Sequence, residues 1–190
     1  SGCIMHNMNV KNYINFNHPY QKIIRKYLEY FTETKITNKQ SGIDGCSAPQ
    51  YAFPLKNLSI SMINLIKHFK ESRDYSDEVR LLLNSIAKYP HLTGSKLKYD
   101  SQLMKITKGK MFSKWGAEGV LLFAHKEKKI GGVIKVKDGN ERALPSVANE
   151  IFKKLSLINN KEKQKLSDWS NQNLINHAKI KVGNIYTKVS

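Results

Sequence analysis

Ile23, Ile24, Tyr27, Leu28 and Phe31 fall on one side of a helix wound at about 3.6 residues per turn. His18-Pro19 stands just before them and marks the start of that helix. The polar stretch "TETKITNKQSG" (32–42) reads as a linker. Pro54 then opens a second helix carrying Leu55, Leu58, Met62, Leu65, Ile66 and Phe69. Ser76 is the expected N-cap of a third, with Asp77 and Glu78 favourable in its first turn. Val79, Leu82, Leu83 and Ile86 set that helix's buried face, and Pro90 ends it. A shorter helix is expected from Leu97 to Met104.

The pattern changes after Gly109. "GVLLFAHKEKKIGGVIKVKDG" (119–139) contains two apolar runs separated by a charged turn, which predicts an antiparallel hairpin of 119–125 with 130–137. Residues 143–158 return to helical spacing, with Leu144, Val147, Ile151 and Leu155 placed against that sheet. "KIKVGNIYTKV" (179–189) is a last extended segment. The sum is an α+β fold, an antiparallel sheet covered by helices on at least one face. A length of 190 residues suits one domain, or one large piece of a two-part fold.

Charge changes the picture less than its size suggests. The net charge is +17, yet only Arg25, Arg73, Arg80 and Arg142 are arginines, the residues that read bases and phosphates bidentately. The lysines are spread along the chain, and "KEKK" (126–129) and "NNKEKQK" (159–165) read as a turn and a solvated loop. A lysine-rich solvated surface is therefore favoured over nucleic-acid binding. No apolar run approaches the roughly 18 residues of a membrane span. No secretory pattern opens the chain, and two cysteines are too few for a disulfide framework, so a cytoplasmic location is expected.

Two stretches carry candidate chemistry. In "GIDGCSAPQYAFPL" (42–55), Asp44 and Gly45 favour a tight turn that fixes the angle of Cys46. A free cysteine is most often a small buried hydrophobe. The sharper alternative is a thiolate for a metal or for catalysis, but no C-x-x-C or histidine pair lies nearby to complete a zinc set. In "KWGAEGV" (114–120), Lys114 stands two residues before Gly116, just ahead of a strand. A K-x-G on an edge strand lines one wall of the site in serine-reactive enzymes of the penicillin-recognising type.

Taken in order, "GIDGC-AP--AFPL", "K-GAEGV" and "GGVIKVKDG--RA" (131–143), with "KNYINFNHPYQ" (11–21), resemble the bacterial L-asparaginase II type, serine-lysine asparaginases assisted by zinc. The resemblance runs from about Cys3 to about Leu155. It implies a fold like serine β-lactamases and glutaminases, and hydrolysis of L-asparagine to aspartate and ammonia. It also implies that Asp44 orients the substrate's amino group, that Lys114 faces the substrate or the nucleophile beside Gly116, and that Cys46 is a zinc ligand or a brace. A cysteine is implied in that turn not to sit deep in the core but to point toward the cleft that Lys114 lines.

The departures are as informative. The family's nucleophile belongs to an S-x-x-K motif upstream of these segments, and its C-S-G-K-H motif, which supplies further zinc ligands, is at most a remnant in Ser1-Gly2. The expectation is therefore a C-terminal portion, an incomplete site that needs a missing N-terminal half or a homodimer partner, and no tightly bound zinc. The chain's own S-x-x-K matches, Ser85–Lys88 and Ser95–Lys98, are expected on the surface, the first because it points away from the face set by 79, 82, 83 and 86. Three function classes stand: an amidohydrolase, an inactive remnant or binding module of the same fold, and, less favoured, a basic nucleic-acid-associated protein.

Overall fold

The computed structural model describes residues 1–189. It begins with α1 (Gly2–Met5) and α2 (Pro19–Thr32). A small hairpin of β1 (Ser41–Ile43) and β2 (Pro49–Tyr51) follows, then α3 (Leu55–Lys70), α4 (Ser76–Lys88) and α5 (Tyr99–Ile106). Next come β3 (Met111–Gly116), β4 (Val120–His125) and β5 (Ile130–Lys135). The chain closes with α6 (Leu144–Lys154), α7 (Asn160–Lys165), α8 (Ser167–Ser170) and the hairpin of β6 (Gln172–Ile175) with β7 (Lys181–Ile185). Helices and small antiparallel sheets make this an α+β fold.

The central sheet has the order β3-β4-β5. Its β4–β5 half is the expected hairpin, with Val120 opposite Lys135 and His125 opposite Ile130. The third strand, β3, pairs Met111 with His125 and Gly116 with Val120 and forms one edge. Alternation sends its residues to two different cores. Met111 and Trp115 join Leu121, Phe123 and Ile134 beneath α5 and α6, around Tyr99, Leu103, Leu144 and Phe152. Phe112 turns to the other face, where Leu122 and Ala124 meet Met62, Ile66, Val79 and Leu83 of α3 and α4. Helix α3 lies so close to β5 that a Cβ on Gly131 would come 2.7 Å from both Met62 Cβ and the Ile63 nitrogen.

Several expectations are corrected. The α6 helix stops at Lys154, and Leu155 is 45% exposed, while Ala148 and Phe152 are fully buried in its place. Of the apolar residues expected on the α4 face, Val79 and Leu83 are buried and Leu82 is 52% exposed, because a helix packed chiefly on one neighbour buries a narrow stripe. Ser76 does not cap α4. Tyr75 holds that position at φ 63°, and the Ser76 hydroxyl accepts the Arg73 N–H (2.8 Å) and donates to the Glu71 carbonyl (2.9 Å). His18 is the cap of α2, its Nδ1 accepting the Tyr20 N–H at 3.1 Å. The stretch 32–42 is not all linker, since it contains a short 3₁₀ turn and the start of β1.

Candidate active site

The turn between β1 and β2 is built around one carboxylate. Asp44 Oδ1 accepts the N–H groups of Cys46 and Ala48, both at 2.9 Å, and Oδ2 accepts the side-chain amide of Gln50 at 3.0 Å. The backbone closes the same loop, with Asp44 N–H donating to the Ala48 carbonyl and Ser47 N–H to the Asp44 carbonyl, each at 3.0 Å. The Ala48 N–H, followed by that of Cys46 and the Gln50 amide, holds the Asp44 carboxyl below the usual aspartate range. The left-handed residue of the turn is Ser47 (φ 63°), and not Gly45 as the Asp-Gly pair suggests. Asp does the positioning here, and the glycine supplies only room.

Cys46 sits exposed at the tip of this turn, outside the core, whereas Cys3 is 6% exposed. The hairpin is anchored to α2 through the Tyr51 hydroxyl, which donates to the buried Gln21 side chain at 3.1 Å.

Lys114 and Gly116 lie on the edge strand β3, opposite Leu122 and Val120. Lys114 is exposed, and its ammonium donates to the Trp115 carbonyl at 2.6 Å. The free edge of β3 is partly occupied by α5. Asp100, buried to 1% exposure, accepts the Trp115 N–H on Oδ2 at 3.0 Å and the Ser101 N–H on Oδ1 at 2.8 Å. Trp115 itself turns to the opposite side from Lys114, where its indole N–H donates to Glu141 and the Lys98 ammonium stands 5.6 Å over its ring. Sequence reasoning missed Asp100 and Glu141 altogether, because each reaches Trp115 across 15 or more positions and no local motif announces it.

The structure thus joins Asp44 to Cys46, and Lys114 to Gly116. It places no hydrogen bond between the two pairs, and the principal surface cavities are lined by none of the four. Both S-x-x-K matches are exposed, as expected. In each, the lysine is engaged elsewhere. Lys88 lies 5.1 Å over the Tyr89 ring, and Lys98 faces Glu141 and Trp115 while the Ser95 hydroxyl caps the Leu97 N–H at 3.3 Å.

The residues around Cys46 do not fit a zinc ion. Its carboxylate neighbour already accepts three N–H donors, and no group of three or more His, Cys, Asp or Glu able to hold a metal occurs among the described residues. No helix among the described residues is long and apolar enough to cross a membrane.

A family model described as L-asparaginase II matches residues 1–187. The match runs past Leu155 through the tail, and it does not bear out a reading of the chain as a C-terminal portion alone. No curated protein matches the sequence.

Proposed function

Because this chain belongs to the L-asparaginase II family, we propose that it is an asparaginase-like amidohydrolase whose own residues bind L-asparagine but do not assemble the nucleophile. The match over residues 1–187 carries the first half of this reading, and the two unassembled Ser–Lys pairs carry the second.

The binding role follows from valence. A carboxylate offers about four acceptor sites. Asp44 uses three of them on Cys46, Ala48 and Gln50, which leaves one for an ammonium donor. An aspartate held ionised and pre-positioned in this way suits the α-amino group of asparagine, since it loses no side-chain freedom on binding. Lys114 donates one of its three N–H bonds to the Trp115 carbonyl and keeps two, enough for the α-carboxylate. Gly116 lets the substrate approach the strand without meeting a side chain. Cys46 braces the turn through its N–H and is assigned no metal.

Amide hydrolysis requires a hydroxyl activated by a neighbouring base. Ser85 and Ser95 have no lysine directed at them among the described residues, so neither pair supplies an activated hydroxyl in this arrangement. A reducing cytoplasm suits the two free thiols.

The test is a pair of measurements on the purified chain. Ammonia release from L-asparagine should stay at background in a coupled assay. Calorimetry should nonetheless detect L-asparagine, with binding weakened about ten-fold or more by Asp44→Ala and by Lys114→Ala. Turnover that is lost on mutating Ser85 or Ser95 would show that one of those pairs is the nucleophile. Absence of both binding and turnover would favour an inactive relative of the fold.

A further inference from the structure

A cluster of lysines around one cavity lies away from both candidate stretches. A cavity of about 340 Å³ opens between the end of α4 and the outer face of α5, lined by Lys88, Pro90, His91, Lys96, Ser101, Gln102 and Lys105. No carboxylate is among these residues. Some surface lysines and arginines have acidic partners, as Lys98 does with Glu141, Lys110 with Glu162 and Arg142 with Asp138. Lys88, Lys96 and Lys105 form no ion pair among the described residues, and only the Tyr89 ring, 5.1 Å from the Lys88 ammonium, compensates any of them.

We propose that this cavity is a binding site for a small phosphate-class polyanion, a di- or triphosphate either free or as the tail of a nucleotide.

Three observations select that chemistry. The first is charge. Three ammonium groups around one concavity make it locally positive, which favours an anion bound among them. The second is donor type. The cationic lining is lysine without arginine. Lysines bind phosphate as separate point charges rather than as a planar fork, and several of them can spread over the oxygens of one polyanion. The third is shape. The volume falls in the range of small-molecule sites, and no aromatic side chain lines the cavity as a stacking platform for successive bases. A short polyanion therefore fits better than a nucleic-acid strand.

The frame around the site is fixed. Ser101 is 3% exposed and its hydroxyl donates to the Pro90 carbonyl at 3.0 Å, which ties α5 to the turn carrying His91. The Gln102 amide donates to the Lys96 carbonyl at 2.5 Å and holds the third side of the rim. The lysines thus project from backbone that is braced before any ligand arrives, which lowers the ordering cost of binding.

The test uses the full chain and sodium tripolyphosphate, with ATP, adenosine and succinate in parallel titrations at low salt. Tripolyphosphate and ATP should bind with similar affinity, falling as salt rises, while adenosine and succinate should bind at least about ten-fold more weakly. Binding of ATP alone would assign the site to a nucleoside and overturn the proposal. The double variant Lys88→Gln/Lys105→Gln should weaken tripolyphosphate binding by at least about ten-fold. A control pair outside the cavity, Lys11→Gln/Lys22→Gln, should leave it within about two-fold. Equal loss in both pairs would mean that only the overall charge attracts the anion. Amine acetylation of the unaltered chain gives an independent reading. Tripolyphosphate should protect Lys88, Lys96 and Lys105 selectively, and uniform protection of all lysines would overturn the site.

Discussion

Asp100 and Trp115 are joined by a hydrogen bond of 3.0 Å from the backbone N–H of the edge strand to a buried carboxylate. The bond fastens α5 to the strand that carries Lys114 and Gly116, and so fixes the angle at which that strand meets solvent. An edge strand left bare would offer its N–H and C=O groups to any passing chain. Here α5 covers the edge at Trp115, the middle residue of the K-x-G motif.

Replacing Asp100 by alanine removes a charged acceptor and leaves the Trp115 and Ser101 N–H groups without their partner. A loss of about 2–3 kcal/mol is expected in urea unfolding, with Asp100→Asn costing less because one oxygen remains. A change below about 0.5 kcal/mol would mean that water replaces the carboxylate at no cost.

The two cysteines should differ sharply toward a thiol reagent. Cys46 is exposed and Cys3 is buried, so one thiol per chain should react within the mixing time and the second only on unfolding. Metal analysis of the same preparation should find well under one zinc per chain, and a chelator should leave the melting temperature unmoved. About one zinc per chain, lost in Cys46→Ser, would contradict the reading of the turn given above.

His125 is 2% exposed, on the strand shared by both cores. Burial, with the charges of Lys110 and Lys128 added to it, pushes its imidazole below the ordinary histidine value of 6.5. The folded state therefore holds it neutral, and the unfolded chain takes up a proton first as pH falls. Its contribution is complete above about pH 6.5 and is lost as the pH drops toward the lowered value. The unfolding free energy should decline between pH 7 and pH 5, and His125→Gln should flatten that slope. A slope that survives the substitution would place its origin in other groups.

Two glycines make opposite predictions. At Gly131 an added methyl meets backbone and Cβ of α3 at 2.7 Å, so Gly131→Ala should cost about 1–3 kcal/mol through displacement of that helix. At Gly45 nothing lies within 4 Å and φ is not positive, so Gly45→Ala should be neutral or stabilising by up to about 1 kcal/mol. Thermal melts of the two variants check both at once. Similar melting temperatures would sink the packing argument for Gly131.

The sequence made some of this legible and hid the rest for identifiable reasons. The β4–β5 hairpin stood out because "VLLFA" and "IGGVI" are apolar on both faces and a charged turn separates them. Its neighbour β3 did not, since "MFSKWG" places Ser113 in a fully buried position, where the hydroxyl finds no partner among the described residues, and Lys114 on the surface. The helices α2, α3 and α4 were readable from their spacing, yet spacing could not tell which side of each finds a neighbour, and Leu82 and Leu155 were assigned to cores they do not enter. In the candidate site, the Asp44 turn is a local event and the motif revealed it. The contact of Asp100 with the Lys114 strand depends on how α5 lies against the sheet, and no stretch of residues records that.

The two cores also set a timetable for synthesis. The core beneath α3 and α4 takes Phe31, Met62, Ile66, Val79 and Leu83 from early in the chain, but its lid is Phe112, Leu122 and Ala124. A ribosome adding about 5–20 residues per second needs several seconds to travel from Met62 to Ala124. Through that interval the apolar stripe of α3 has no sheet to lie on. The second core draws only on residues from Tyr99 onward and closes later still, once Leu166 has emerged. The first half of the nascent chain is therefore the part that a chaperone would hold, and release would follow the emergence of the central strand.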